Sequence, residues 1–257
     1  MNIEKVVLVY FSPTGNVRRT IMKIAEGADV PVREIDLTAF DARWRHYTFS
    51  DNELVIIGCP VYNKRLPEIS PEIFRTLKPN HTPVASFVSY GNDDYGDALL
   101  ELNDLCREHG FHCIASAAFI GEHAMAASLA AGRPNAEDDS AATAFGRQIM
   151  RKAASGGIIG EVSVPGNFPY RFHPEMQAAP DTGDSCRKCG KCAQECPVHA
   201  INPSAPAKVD ARRCIQCTRC IHICPSGAKK FTNEKYIRQA ARFEGSFKCP
   251  MEPEIFI

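Results

Sequence analysis

Eight of the chain's cysteines fall in two runs of identical spacing. CRKCGKCAQECP begins at Cys186 and CIQCTRCIHICP at Cys214, 28 residues later, and each reads C-x2-C-x2-C-x3-C-P. Three thiolates two residues apart can wrap three irons of one cubane from a tight loop, while the fourth iron needs a thiolate from elsewhere. A pair of zinc ribbons would instead use two C-x2-C pairs per metal. The spacing is the one by which bacterial chains hold two 4Fe–4S clusters, each fourth cysteine serving the other half's cluster. Cys186, Cys189, Cys192 and Cys224 are therefore assigned to one cluster, and Cys214, Cys217, Cys220 and Cys196 to the other. Pro197 and Pro225 help to stop each run from continuing straight into a helix.

A second stretch able to do chemistry lies near the N-terminus. Lys5–Phe11 is a continuous apolar, β-branched run, as expected of a central parallel strand covered on both faces. It ends in Ser12-Pro13-Thr14-Gly15-Asn16-Val17, and a helical pattern follows to about Glu26. A strand that delivers hydroxyls and a glycine to a helix N-terminus makes a phosphate cradle, because bare N–H groups and the positive end of the helix dipole converge there. Neither a Walker lysine nor G-x-G-x-x-G is present, which disfavours a nucleoside triphosphate or a Rossmann dinucleotide.

The elements that position this turn follow in order. Strands are expected at Val32–Leu37, Leu54–Gly58, Pro83–Ser89 and His112–Phe119, with helices at Ser70–Leu77, Asp97–His109 and Ser140–Ala154. This alternation predicts an α/β fold with a five-stranded parallel sheet, helices on both faces and ligands outside the carboxyl ends of the strands. Two strand ends carry aromatic loops, CPVYNKRLP from Cys59 and SYGNDDYG from Ser89, where Tyr62, Tyr90 or Tyr95 could stack on a flat ring. Gly121–Asp139 starts at the same sheet edge and holds His123 and Met125, so it reads either as a lid or as a loop with a structural histidine. Residues 38–52 hold the only tryptophan and stand where a helix would be expected. Gly156–Gly183 is rich in glycine and proline and reads as a linker along the surface.

With these residues in hand the chain resembles the bacterial and archaeal flavodoxin-like/ferredoxin fusion proteins, over nearly its whole length. SPTGN looks like the FMN-phosphate loop of flavodoxins; PVYNKRLP, SYGNDDYGDAL, AAGRPNAEDD, VPGNFPYR and the cysteine runs carry the rest. The resemblance implies FMN, with its phosphate on Ser12, Thr14, Gly15, Asn16 and the backbone of Val17. Its ring would lie against Pro60, Val61, Tyr62 and Asn63 and against Ser89, Tyr90, Gly91 and Asn92, with Tyr95 a further candidate. Two positions depart from the pattern: Val17 stands where flavodoxins usually have threonine, and Lys64 where the loop often has glycine. The implied division is 1–155 flavodoxin-like, 156–183 linker, 184–232 a ferredoxin domain of α+β type with two clusters, and 233–257 a C-terminal tail.

Composition excludes little beyond this. The chain of 257 residues is 44% hydrophobic and 23% charged, as in ordinary soluble proteins. No apolar run approaches the ~18 residues of a membrane span, and iron-bound thiolates imply a reducing compartment, so a cytoplasmic location is expected. Of the other cysteines, Cys59, Cys106 and Cys113 read as small core residues, and Cys249 is the one to test for reactivity. Net charge is zero, yet 184–230 holds nine basic and three acidic residues, an excess of six. Two oxidised cubanes would reduce that to about +2. Arg212, Arg213, Arg219, Lys229 and Lys230 flank the second run and suit an acidic partner such as a ferredoxin. No Ser-His-Asp set or paired carboxylates are evident, so no catalytic residue is assigned, and nothing points to nucleic acid. Three readings follow: an electron carrier of anaerobic metabolism linking the clusters, FMN and a redox partner; a flavin-dependent reductase of a small quinone-like substrate fed by the clusters; or a ferredoxin whose flavodoxin-like half is flavin-free.

Overall fold

A computed structural model describes residues 2–126, 128–155, 162–173, 177–246 and 249–257. Five parallel strands form the centre: β1 (Lys5–Tyr10), β2 (Val32–Asp36), β3 (Glu53–Pro60), β4 (Pro83–Tyr90) and β5 (His112–Ile120). Their order across the sheet is β2-β1-β3-β4-β5. That is the doubly wound order in which flavodoxin is the standard example, with its switch point between β1 and β3. The chain runs from β1 outward to β2, then returns to the other side of β1. The loops after β1 and β3 therefore diverge and leave a crevice.

The apolar runs are continuous because both faces of the sheet are covered. Val7, Val9 and Phe11 point into one core and Val6, Leu8 and Tyr10 into the other. The second core is roofed by α1 (Asn16–Ala25) and by the long C-terminal helix of the unit, Ala136–Ala154. In α1, Val17, Ile21 and Ile24 recur at helical spacing and are buried. The first core is covered by a short helix, α2 (Ser70–Phe74), and by α3 (Ala98–Glu108). The Ala136–Ala154 helix, α4, starts with a capping box in which Asn135 and Asp138 satisfy each other's orphan amides.

Three segments carry structure that the sequence alone did not supply. The 38–52 stretch forms a 3₁₀ turn at Phe40–Trp44, in place of a helix. The linker is not loose where it is described: buried Asp97 accepts hydrogen bonds from the Asn167 amide (3.0 Å), the Arg171 amide (2.8 Å) and Arg171 Nε (3.1 Å). Burial alone would raise the Asp97 carboxyl, but those donors hold it below its usual value. Residues 156–161 and 174–176 of the linker lie outside the described residues. The C-terminal stretch is structured too. It forms a helix at Glu234–Ser246 and then a sixth, antiparallel strand, β6 (Glu254–Phe256), on the edge of β5. That strand closes an otherwise open edge.

The cysteine runs carry two short helices, α5 (Lys191–Gln194) and α6 (Arg219–His222), so the Glu234–Ser246 helix is α7. The 28-residue repeat is structural. Left-handed backbone occurs at Lys188 and Gln216, at Gly190 and Thr218, and at His199 and Gly227. Each pair is separated by one repeat, so the two halves share one backbone path.

Helices α1 and α4 cross at backbone contact. A Cβ on Gly146 would lie 2.0 Å from the Ile24 carbonyl oxygen, a position neither backbone can yield cheaply. Gly146→Ala gains up to about 1 kcal/mol of helix propensity but forces the helices apart, at about 1–3 kcal/mol. A net fall in melting temperature is therefore expected, and an unchanged or raised Tm would show that the crossing is not that tight.

Candidate functional site

The loops at the carboxyl end of the sheet enclose a cavity of about 540 Å³. The β1–α1 turn lines it through Ser12, Thr14, Asn16 and Val17, the β3 loop through Pro60, Val61, Tyr62 and Asn63, and the β4 loop through Ser89, Tyr90 and Gly91. Eleven of the fourteen residues expected to hold FMN are thus brought together. Gly15, Asn92 and Tyr95 are not among the lining residues. Gly15 is the N-cap of α1 at φ 96°, shaping the turn from behind. Asn92 is buried and turned to the C-terminal segment, donating to the Cys249 carbonyl (3.0 Å) and accepting from the Met251 amide (2.7 Å). Tyr95 is likewise occupied, with its hydroxyl on Glu254 (2.8 Å) and its ring edge-on to Tyr90.

The phosphate turn has the electrostatics of an anion site. Helix α1 has no side-chain cap at Gly15 and no acidic residue in its first turn, so its N-terminal dipole is not neutralised by its own residues. The Ser12 hydroxyl accepts the Arg18 amide at 2.9 Å, and the Ser12 amide donates to Thr38 Oγ1 at 2.8 Å, which fixes the turn. Val17 packs into the core beside Gly58, where a Cβ would strike its Cγ1 at 2.7 Å, so the position serves packing. The β3 loop solves its missing glycine by strain. Asn63 (φ 50°) and Lys64 (φ 65°) are both left-handed between the paired Tyr62 and Arg65, the geometry of a type I′ turn. Lys64 Nζ on Asp94 (2.9 Å) and a bidentate Arg65–Glu101 pair (2.8 Å each) hold it.

Other walls come from residues that the motifs did not reveal. His123 and Met125 reach the cavity from the β5 loop, and Tyr236 and Phe243 from α7. His123 is both lid and structural residue. Its Nδ1 accepts the Met125 and Ala126 amides (3.1 and 3.0 Å), which leaves the hydrogen on Nε2, and burial lowers its pKa. The Tyr90 hydroxyl is buried without a hydrogen-bond partner among the described residues, and its ring packs edge-on to Tyr95. Burial also raises Asp93, whose Oδ1 stands 3.9 Å from Lys64 Nζ. A bare helix N-terminus and an aromatic wall fit a flat phosphorylated ligand.

The last wall belongs to the cysteine-rich domain: Arg212, Cys214, Ile215 and Gln216 line the same cavity. Cys214 and Cys217 also act electrostatically on the Tyr62 phenol, which burial already pushes up. Arg219, between Cys217 and Cys220, donates to the Pro13 carbonyl of the phosphate turn at 3.0 Å and pairs with Glu195. Cys196 packs with Cys214 and Cys220 in one small core, which Cys192 also joins. A separate cleft of about 20 Å³ is lined by Cys186, Cys189, Cys192 and Cys224. The cysteines thus gather across the two runs. Among the described residues no three His, Cys, Asp or Glu side chains close around a point as a single ion needs, whereas a cubane spaces its thiolates around four irons.

Backbone amides serve the fourth cysteines of both halves. The Ala200 amide donates to Cys196 Sγ (3.2 Å) and the Ala228 amide to Cys224 Sγ (3.3 Å), one repeat apart. For Cys224, burial raises the thiol, but the Ser226, Ala228 and Lys229 amides and the Ser226 hydroxyl outweigh it and bring the pKa to about 7. Burial pushes Cys220 up to about 12, so iron binding there must displace a proton. Cys59, pushed up to about 12 by burial, is an inert core residue, and Cys249 is exposed.

The comparisons agree with this layout. Residues 185–228 match the family described as 4Fe-4S dicluster domain. Epoxyqueuosine reductase of Burkholderia pseudomallei (strain K96243) is 41% identical over 68 residues, which is 26% of this chain and 16% of that protein's length. A flavodoxin from the domain Archaea covers 58% of this chain and 99% of its own at 17% identity and TM-score 0.41. Flavodoxin 2 from Bacillus cereus covers 58% and 99% at 16% identity and TM-score 0.41. Likeness at that level adds no weight by itself, and the strand order assigns the fold. The protein is an α/β chain of flavodoxin-like topology carrying an iron–sulfur domain. It joins a flavodoxin-like fold to a 4Fe–4S dicluster domain, and no helix among its described residues is long and apolar enough to cross a membrane.

One buried charge ties the halves. Arg43, fully buried in the 3₁₀ turn, pairs with Glu72 (3.1 Å) and donates to the carbonyl of Pro197, directly after Cys196. Burial lowers its pKa against the pull of Glu72. Arg43→Ala is expected to cost about 3 kcal/mol, the low end for removing one partner of a buried pair, because Glu72 is 31% exposed. An unchanged unfolding midpoint in urea would show that the contact carries no stability.

Proposed function

We propose that the chain is a redox carrier that holds FMN in the cavity and two 4Fe–4S clusters on the crossed quartets, passing electrons between a low-potential donor and a partner protein. The observation that carries this reading is the shared wall: Cys214–Gln216 lines the cavity formed by the phosphate turn and aromatic loops. FMN supplies exchange of one or two electrons, and each cluster exchanges one. The chain's part is to position. The α1 N-terminus and Ser12–Asn16 take the phosphate, Tyr62 and Tyr90 flank the ring, and α7 and the cysteine loop exclude water. The quartet of Cys196, Cys214, Cys217 and Cys220 stands beside the cavity, and that of Cys186, Cys189, Cys192 and Cys224 stands outward. Committed thiolates suit the reducing cytoplasm of an anaerobic or low-oxygen cell.

A second reading, a flavin-dependent reductase of a small quinone-like substrate, is favoured by the match to a named reductase and would appear as steady-state turnover with a panel of acceptors. The flavin-free reading is weakened by the uncapped α1, whose first residues line the cavity.

Anaerobically reconstituted protein is expected to contain one FMN, eight irons and eight sulfides. Cys224→Ala should then damage the cluster of the first run, resolved by electron paramagnetic resonance, because the fourth thiolates cross. Two zincs per chain, or damage confined to the cluster of the second run, would overturn the assignment.

The partner is expected at the outward quartet. Arg219, Arg213 and Arg212 are engaged, with Pro13 and Glu195, with the Val198 carbonyl, and with Asp210, and Lys229 is buried. Arg187, Lys188 and Lys191 are exposed around Cys189 and have no ion-pair partner among the described residues. Opposite charge around an exposed cluster speeds encounter by about 10–10³-fold and makes the rate salt-sensitive. Replacing these three by glutamine should slow reduction by an acidic ferredoxin and flatten its salt dependence, with dithionite reduction unchanged. The same loss in an Arg212→Gln, Arg213→Gln double variant instead would move the docking face to the second run.

A further inference from the structure

Lys229 is a buried side chain that the electron-carrier reading does not use. It is 3% exposed and stands at the cleft of the outward quartet, beside the thiolates on one side and the Thr182–Ala207 backbone on the other. Its Nζ meets Thr182 Oγ1 at 2.6 Å, the Pro206 carbonyl at 2.8 Å and the Ala207 carbonyl at 3.4 Å. The Thr182 hydroxyl already donates its hydrogen to the Ala207 carbonyl at 2.7 Å, so it can only accept from the lysine. All three neighbours are therefore acceptors, and three acceptors are what an ammonium with three N–H donors requires.

No carboxylate pairs with it among the described residues, since all three partners are neutral oxygens. A buried charge without an opposite charge is costly, and such groups are paired or sit beside a metal centre. The fold itself does not demand a cation there. One repeat earlier the matching residue is Ile201, buried in the small core of the other half. Lys229 lines the cleft of the first quartet, and the Lys229–Lys230 strand lies against α6, which carries Cys220 of the second.

We propose that Lys229 is the shared internal counter-ion of the two clusters, an ammonium fixed between them by three neutral oxygens and balanced by the negative charge of both iron–sulfur cores. This rests on the two-cluster reading above. A cluster that gains an electron becomes more negative, so a fixed cation nearby favours the reduced form and raises the midpoint potential. Because one residue serves both cores, its removal must move both.

The test is a redox titration of the reconstituted protein followed by electron paramagnetic resonance, on Lys229→Gln, Lys229→Arg and the exposed neighbour Lys230→Gln. Lys229→Gln keeps two donors without charge and is expected to retain eight irons while both midpoints fall. The fall should persist at ~0.5 M salt, where exposed charges are screened over a few ångströms. Lys229→Arg should stay close to the natural protein, and any effect of Lys230→Gln should vanish in salt. Full iron with neither midpoint moved, or only one moved, would overturn the proposal. If glutamine prevents iron uptake, arginine decides: full iron there supports the charge, and loss there too assigns Lys229 to packing and overturns it. A natural chain with one cluster signal or none fails the two-cluster reading itself, a result told apart from the others before any variant is made.

Discussion

The hydrogen bond from Arg219 to the Pro13 carbonyl is the contact on which the rest of the arrangement depends. One end of it lies between two cysteines of the second run, and the other in the turn that offers the α1 N-terminus to a phosphate. It fixes the separation between the inner quartet and the cavity. The Arg43 contact to Pro197 holds the opposite side of the same quartet, immediately after Cys196. Neither arginine could be replaced by lysine with the same effect, because each uses the guanidinium fork to reach a carboxylate and a carbonyl at once. Electron exchange over a fixed gap needs little motion, and two forks aimed at backbone oxygens restrain motion well.

The cysteine-rich domain makes two unlike sites from one repeated path. Backbone turns, short helices and the amides on Cys196 and Cys224 coincide after one repeat, but the surroundings do not. Cys217 is buried against the flavodoxin-like half, while its counterpart Cys189 is exposed. Thr218 takes the left-handed position that Gly190 fills in the first half. The matching residues Ile201 and Lys229 differ in charge. A symmetric scaffold therefore presents one face inward and the other outward.

Much of this was legible in the sequence, and the residues show why. The cysteine spacing names its chemistry without a fold, and the continuous run Lys5–Phe11 announces a strand buried on both faces. The order of apolar runs is enough to forecast five parallel strands. Long-range pairing is what escapes. Nothing in Glu254–Phe256 states that it will join β5, more than a hundred residues earlier in the chain. Arg43 and Lys229 look like ordinary charges in the sequence, since burial of a single long side chain leaves no periodic trace. Asn92 and Tyr95 sit in the expected loop yet serve the C-terminal segment, because a loop's position does not fix which way each side chain turns. The Asn63-Lys64 turn adopts a glycine-like path at a lysine, with Asp94 and the Arg65–Glu101 pair offsetting the strain.

The proposed carrier asks less of the cavity's groups than a reductase would. Of the cavity's two histidines, His123 has Nδ1 committed to two amides, so only a fixed Nε2 hydrogen is left to offer, while His173 Nδ1 stands 3.4 Å from Glu68. Burial raises Asp93 and lowers His123, which moves both toward the neutral form. Neutral donors can steady a ring whose charge changes. Space argues in the same direction. The β5 loop, α7 and the Cys214–Gln216 turn each take a side of the cavity, and a flat ligand on Tyr62 and Tyr90 would occupy much of what they enclose. Of the groups around that ligand, the inner cysteine turn is the one equipped to change its oxidation state.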